Sequence, residues 1–298
     1  MKKRSLAVLM AGVMAASMMT GVVSVYADAD SKTLTVGFDA QYPPFGYKDD
    51  NGEYVGFDLD LAQEVCDNLG WELVKKPINW DSKDMELNSG SIDCIWNGFT
   101  MNGREDDYTF SVPYVDNSQV IVVADNSGIE KLDDLAGKNV VVQAASAALD
   151  ALNSDDNKDL TASFASLTEN PDYNTAFMNL DSGAADAIAV DIGVAKYQLS
   201  QREEGKYVIL DEPIQSEEYG IGFKKGNDEL KDTVWEEVLK LYDAGEVDKL
   251  AEKYEVADML CIGDDEKSDD KKDDAAEDDA SDADTAKEDT ADTAKDAE

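Results

Sequence analysis

The sequence predicts an α/β protein built as two similar lobes, and three observations predict it. First, Ser89-Gly90-Ser91-Ile92-Asp93-Cys94-Ile95 and Ser182-Gly183-Ala184-Ala185-Asp186-Ala187-Ile188 align without a gap. In each, a helix-like stretch ends at Gly and a short apolar strand follows, the passage expected in parallel α/β sheets. Second, the strand Val120-Ile121-Val122-Val123-Ala124 is broken by Asp125-Asn126-Ser127-Gly128, where a second domain starts. Third, Tyr219-Gly220-Ile221-Gly222-Phe223 reads as a strand leading back to the first domain, and Leu230, Val234, Val238 and Leu241 form a helical stripe after it. Two crossings make a hinge, and hinge closure sequesters ligands. Open α/β sheets bind ligands beyond the carboxyl ends of their strands. Those ends are Asn97-Gly98-Phe99-Thr100 in the first unit and Asp191 in the second, facing each other across a cleft.

In chain order, Lys2, Lys3 and Arg4 precede an apolar run from Leu6 to about Val25, and Val25-Tyr26-Ala27 fits a small-x-small cleavage site. Residues 1–27 therefore read as a secretory signal peptide. Thr33 to Phe38 alternates like a half-buried strand. Asp49-Asp50-Asn51-Gly52 is hairpin-turn chemistry. Residues 58–69 read as a helix, with Asp58 as its N-cap, Gly70 at C′, and Leu59, Ala62, Cys66 and Leu69 on one face. Strand 139–143 leads to a helix from Ser146 or Ala147. The first lobe is expected over 32–124 plus 218–262 and the second over 125–217. From 263 to 298 no aromatic or large aliphatic residue occurs beyond Gly263, so this is expected to be a disordered acidic tail.

Composition excludes several function classes. The net charge is −40 over 298 residues, about a third of it from the tail, and nothing resembles a basic stripe for nucleic acid. The chain has no His, which removes Ser-His-Asp and Cys-His triads and His-ligated zinc. Three cysteines (Cys66, Cys94, Cys261) without a CxxC spacing form neither a disulfide framework nor a zinc ribbon, although one pair remains open.

Several segments, in order, resemble the polar-amino-acid group of the family 3 bacterial extracellular solute-binding proteins, which serve ABC importers. They are Asp39-Ala40-Gln41-Tyr42-Pro43-Pro44-Phe45, Gly56-Phe57-Asp58-Leu59-Asp60-Leu61, Gly98-Phe99-Thr100-Met101-Asn102-Gly103-Arg104, Phe110-Ser111-Val112-Pro113-Tyr114, Asp186-Ala187-Ile188-Ala189-Val190-Asp191 and Tyr219-Gly220-Ile221-Gly222-Phe223-Lys224-Lys225-Gly226. The resemblance runs from about Leu34 to about Tyr254. It implies the periplasmic-binding-protein (Venus-flytrap) fold, two α/β lobes joined by two hinge strands with the ligand in the cleft. It also implies a ligand set. Arg104 grips the ligand carboxylate, for which a planar guanidinium fork is suited. Thr100 and the Gly98 backbone, beside Asn97, complete the contacts, and Asp191 pairs with the ammonium. Tyr42 and Trp80 sandwich the side chain, Asp39 meets its polar tip, and Gln143, Ser146 and Ala147 form the second-lobe loop. That loop is richer in Gly in the family than Gln143-Ala144-Ala145-Ser146-Ala147 is here.

The expected function is capture of a free polar or basic L-amino acid and its delivery to a membrane permease, by a monomer with no chemistry, cofactor or metal of its own. The alternative is a secreted enzyme on the same fold, of the cyclohexadienyl or arogenate dehydratase kind, which needs a poised acid in the cleft. Met19-Thr20-Gly21-Val22 places Val22 where a lipidated Cys belongs, so an exported protein without that anchor is expected, periplasmic or associated with the cell surface.

Overall fold

The computed structural model describes residues 32–263. The signal-peptide reading and nearly all of the acidic tail lie outside them. Among the described residues no helix is long and apolar enough to cross a membrane.

The chain opens with β1 (Thr33–Phe38) and a small antiparallel sheet, β2 (Gln41–Tyr42), β3 (Gly46–Lys48) and β4 (Tyr54–Val55). The expected hairpin joins β3 to β4, and the Asp49 carboxylate accepts from the Asn51 and Glu53 amides in its turn. Helix α1 (Phe57–Leu69) ends where Gly70 enters the left-handed region at φ 67°, as C′ should. Its start differs from the expectation. Gly56 is the N-cap, and Asp58 lies inside the helix, fully buried, with its carboxylate turned into the core. A buried carboxylate needs strong donors, and two are inside the lobe rather than at the helix end.

Next come β5 (Glu72–Pro77), α2 (Lys83–Asn88), β6 (Cys94–Ile95), β7 (Tyr108–Phe110) and the long β8 (Val115–Ala124). The chain continues through β9 (Asn139–Gln143), α3 (Ala147–Asn153), α4 (Lys158–Ser163), β10 (Ser166–Asn170), α5 (Tyr173–Asp181), β11 (Ala187–Asp191), α6 (Ile192–Ser200), β12 (Tyr207–Ile209) and β13 (Gln215–Tyr219). It closes with β14 (Gly222–Lys224), α7 (Asp228–Asp243) and α8 (Glu246–Lys253).

The first sheet runs β5-β1-β6-β14-β7, and the second runs β10-β9-β11-β8-β12 with β13 also on β8. Strand β8 was expected to close the first lobe. It is instead hydrogen-bonded wholly into the second sheet, because its apolar residues alternate between two buried faces there. Val120 and Val122 join one core, and Ile121 and Val123 another. The returning segment is likewise two strands. β13 pairs with β8, then Gly220-Ile221 carries the chain to β14 in the first sheet. Helix α7 packs against α1, and Asn68 on α1 donates to Glu237 on α7 at 2.9 Å. The chain therefore passes between the lobes once at 110–115 and again at 219–222.

Candidate functional site

The site grows out of three adjacent strands of the second sheet. Register places Glu217 of β13 opposite Asn117 of β8, and Asp191 of β11 opposite Gln119 of β8. Residues two apart on a strand share a face. Asn117 and Gln119 therefore stand side by side, flanked by one carboxylate on each edge. The Asn117 amide donates to Asp191 at 2.9 Å and to Glu217 at 2.6 Å. The Gln119 amide donates to both at 2.7 Å. Tyr219 and Tyr173 add hydroxyl donors to Asp191 at 2.6 and 3.3 Å. Thr100, arriving from the first lobe, donates to Glu217 at 3.0 Å. All these residues are buried. Burial, followed by the neighbouring charge of Asp191, raises the Glu217 carboxyl to about 8. Asp191 occupies the N-cap position of α6, yet its side chain makes no cap bond and turns into this cluster.

Arg104 comes from the turn after β6. Its guanidinium lies 5.2 Å from the Phe99 ring and pairs with Asp150 of α3 at 2.8 Å. Arg104 is mostly buried, while the Asp150 side chain is 66% exposed. A pair with one solvated partner contributes roughly 0–1 kcal/mol, so another carboxylate can exchange for Asp150 at little cost. Arg104, Thr100, Ala147, Asp150 and Glu217 line one cavity of about 220 Å³.

A second cavity of about 650 Å³ is lined by Asp39, Trp80, Asp81, Glu86, Ala144 and Asp172 among others, and no Lys or Arg is in its wall. Glu86 is paired with Lys76 at 2.8 Å from outside that wall. Burial is the main cause raising the Asp39 carboxyl, and the Gln41 amide, at 2.8 Å, and then Gln143, donating at 2.6 Å from the other lobe, offset it. Lys83 also reaches across, to the Ala145 carbonyl at 3.3 Å. Burial, then the charge of Arg104, lowers the Lys83 ammonium.

The remaining expected residues fall in and around this arrangement. Asn97 is buried and accepts from the Asp39 amide at 2.9 Å. Gly98 has φ 56°, and a Cβ there would stand 2.9 Å from Tyr219 and 3.0 Å from Tyr42. Its N–H is committed to Asp58 at 2.5 Å, and Tyr114 donates to the same carboxylate at 2.8 Å. Tyr42 is packed in an aromatic group with Phe45, Tyr173 and Tyr219, its hydroxyl 3.2 Å from that of Tyr219. Trp80 stands on the large cavity, edge-on to Phe99 at 5.7 Å. Ser146 caps α3 by accepting from the Leu149 amide at 3.2 Å, and Ala147 opens the helix. Ala145 takes φ 55°, a left-handed backbone where Gly is favoured.

Sequence reasoning missed Glu217, Asn117, Gln119, Tyr173 and Asp150. The signal for the first three was the polar run Asp116-Asn117-Ser118-Gln119 directly before the apolar 120–124 segment and the polar run Gln215-Ser216-Glu217-Glu218; every residue of both runs is polar, so the sequence does not mark which face is buried. Among the described residues, no group of three or more His, Cys, Asp or Glu is placed to hold a metal.

Fold and cleft together define a two-lobed binding protein of the periplasmic-binding-protein kind. Residues 34–257 match the sequence model of the bacterial extracellular solute-binding proteins, family 3, and the chain belongs to that family. It is 30% identical to the L-cystine-binding protein TcyJ of Escherichia coli (strain K12), over 83% of this chain and 95% of that one. Its structure is similar to that of a substrate-binding protein of an ABC uptake transporter from Streptococcus pneumoniae with bound histidine, with TM-score 0.72, 30% identity, and 74% and 92% of the two chains covered. It is also similar to AncCDT-1, an ancestral amino acid-binding protein and precursor of cyclohexadienyl dehydratase, with TM-score 0.68, 32% identity, and 74% and 95% covered.

Proposed function

We propose that this protein captures a free L-amino acid with a polar or basic side chain outside the cell and delivers it to the permease of an ABC importer, without chemistry of its own. The observation that carries the side-chain class is the cavity at Trp80 and Asp39, whose wall has Asp39, Asp81 and Asp172 besides the Lys76-paired Glu86 and no cation, whereas another cavity of equal volume is lined by Lys83 and Arg104. A cationic or amide tip is favoured in the first of these, and an anionic one is repelled. Arg104 takes the ligand carboxylate in exchange for Asp150, and the acidic cluster around Asp191 takes the ammonium. Trp80 and Asp39 meet the side chain, and the bonds Gln143 to Asp39 and Lys83 to Ala145 latch the lobes around it. The ligand thereby stabilises the closed arrangement that a permease reads. The protein acts as an exported monomer.

A thermal-shift screen of the twenty amino acids plus ornithine and cystine tests this, since a ligand of the native state alone raises the melting temperature. Cationic amino acids are expected to give the largest shifts, and aspartate and glutamate none. Arg104→Ala and Asp191→Ala are each expected to weaken the best ligand by at least about thirtyfold in calorimetry, with the fold retained by circular dichroism. Near-wild-type affinity in both variants sinks the site assignment.

One observation favours a second reading, an enzyme of the dehydratase kind. Glu217 is an acid with a raised pKa inside the cleft, and likeness to AncCDT-1 supplies the context. Turnover of prephenate or arogenate by the purified protein would establish that reading, and none is expected.

A further inference from the structure

After α8 the chain visits the second lobe once more, in a segment to which the function proposed above gives no role. Helix α8 ends in a Schellman turn. Glu255 takes φ 59° at C′, where Gly is favoured, and the Val256 amide donates back to the Ala251 carbonyl at 2.9 Å. Tyr254 holds this turn on the first lobe, its hydroxyl accepting from the Gly56 amide at 3.2 Å and donating to Asp60 at 2.5 Å. Residues 256–262 then lead away from α8 through a 3₁₀ turn (Ala257–Met259), with Val256, Met259 and Ile262 each at least nine-tenths buried. The far end is back on the first lobe, where a Cβ on Gly263 would stand 3.4 Å from the Tyr242 ring of α7. Both ends are thus fixed to one lobe.

Between those ends the segment touches the other lobe. Leu260 forms an antiparallel bridge with Val115 at the start of β8, and the Cys261 amide donates to the Tyr114 carbonyl at 3.1 Å. On its other side Val115 pairs with Tyr219 of β13. Three strands therefore lie abreast at the level where both crossings meet the second sheet. Asp258 pairs with Lys196 of α6 at 2.7 Å, but both side chains are exposed, and such a pair contributes little. Met259 makes the buried contact. A Cβ on Gly193 would stand 3.3 Å from Met259 Cε and 3.0 Å from the Phe45 ring. The first turn of α6 is thus gripped between a first-lobe aromatic and a thioether side chain suited to filling an irregular gap. Gly193 lies two residues after Asp191, the N-cap of that helix.

We propose that residues 256–262 act as a third hinge strand, and that Met259 is a positioning residue for ligand capture. Packed on Gly193, it sets the place of the α6 start, and with it Asp191, in the closed arrangement. Met259 lines none of the cavities at Trp80 or Arg104, so any effect it has on affinity passes through α6. The positioning role rests on the amino-acid reading above, whereas the third strand does not.

Two measurements on the full chain test this. In the ligand-free wild type the Cys261 amide is expected to exchange with solvent at least about a hundredfold more slowly than an unstructured amide, followed by NMR. Exchange at the unstructured rate overturns the third strand. Calorimetry with L-arginine tests the positioning role. Met259→Ala is expected to bind at least about fivefold more weakly than wild type, and Met259→Leu, which refills the space, to stay within about twofold. A merely structural methionine would lower the melting temperature of Met259→Ala and leave the affinity of the folded protein unchanged. Affinity of Met259→Ala within about twofold of wild type therefore overturns the positioning role. Should Met259→Ala not fold, Met259→Val, a smaller truncation, is expected to bind at least about threefold more weakly, and the same twofold limit overturns the role. Failure of the wild type to bind L-arginine overturns the basic-ligand reading alone. The variants are then compared with the amino acid that gives the largest thermal shift, and the Cys261 amide is read as before.

Discussion

The two α-to-β passages are the same structure made twice, and they end in opposite chemistry. At Gly90 and Gly183 the backbone turns left-handed, with φ 76° and 72°. The next residues, Ser91 and Ala184, return their N–H groups to Glu86 and Asn179 at 3.0 and 2.9 Å. Asp93 and Asp186 then each make the same pair of contacts to a neighbouring strand. Their carboxylates accept from the Thr35 and Asn139 amides at 2.7 and 2.8 Å, and their own amides donate to the carbonyls of those residues, both at 2.8 Å. Beyond this the lobes diverge. β6 stops after two residues and runs into Asn97, Gly98 and the turn that carries Arg104. β11 runs five residues and stops on Asp191. The passage sets where each strand aims, and the few residues after it decide whether the end attracts an anion or a cation.

The supports of the two ends differ as well. In the first lobe Asp58, on α1, holds the Gly98 amide from inside the core. In the second lobe the end is held by neutral cross-strand amides. Burial raises the Asp58 carboxyl to about 7, although its hydrogen bonds from Gly98 and Tyr114 work against the shift. A carboxyl whose folded pKa lies above its unfolded value of about 3.9 binds more protons in the folded state. Its stabilisation is complete below the unfolded pKa and is lost as pH rises toward 7. The stability of wild type minus that of Asp58→Asn is therefore expected to fall by up to about 4 kcal/mol between about pH 4 and pH 8. Urea unfolding across that range reads it, and parallel profiles for the two proteins would show that Asp58 is not the buried acid described.

The shared passage makes a smaller, matched prediction. Asp93→Ala and Asp186→Ala each remove a carboxylate from a backbone amide in a half-buried setting, expected to cost about 1.5–3 kcal/mol. The two costs should agree within about 0.5 kcal/mol in urea unfolding. A clear inequality would mean that the passages are alike in sequence but not in mechanical role.

Much of this was legible in the sequence because it depends on local signals. The repeat around Gly90 and Gly183, the hairpin at Asp49, the Gly70 stop and the helix start at Ser146-Ala147 are each set by a few adjacent residues, and each stands where expected. What was not legible depends on register. The side chains of Glu217, Asn117 and Gln119 converge only because β13 and β11 lie on either side of β8, and no local pattern states which strands are neighbours. Asp58 misled for a related reason. An Asp at a helix start is normally a cap, and only the tertiary fold shows Gly98 and Tyr114 waiting for it in the core. The boundary at Ala124 failed because a strand can lie wholly in one lobe's sheet even where the chain has only just arrived from the other.

The finest test of the equivalence uses the two glycines. A Cβ added at Gly90 or Gly183 meets nothing within 4 Å, so substitution changes only backbone energetics. Alanine in a left-handed conformation costs about 1 kcal/mol, partly offset because alanine also restricts the unfolded chain. Gly90→Ala and Gly183→Ala are each expected to lower stability by about 1 kcal/mol. Neither should alter ligand affinity, since neither residue lines the cavities at Trp80 or Arg104. Thermal or urea unfolding reads the first expectation and calorimetry the second. If Gly183→Ala weakens binding while Gly90→Ala does not, then aiming β11 at the ligand demands tighter backbone control than aiming β6, and the two passages are equivalent in shape but not in tolerance.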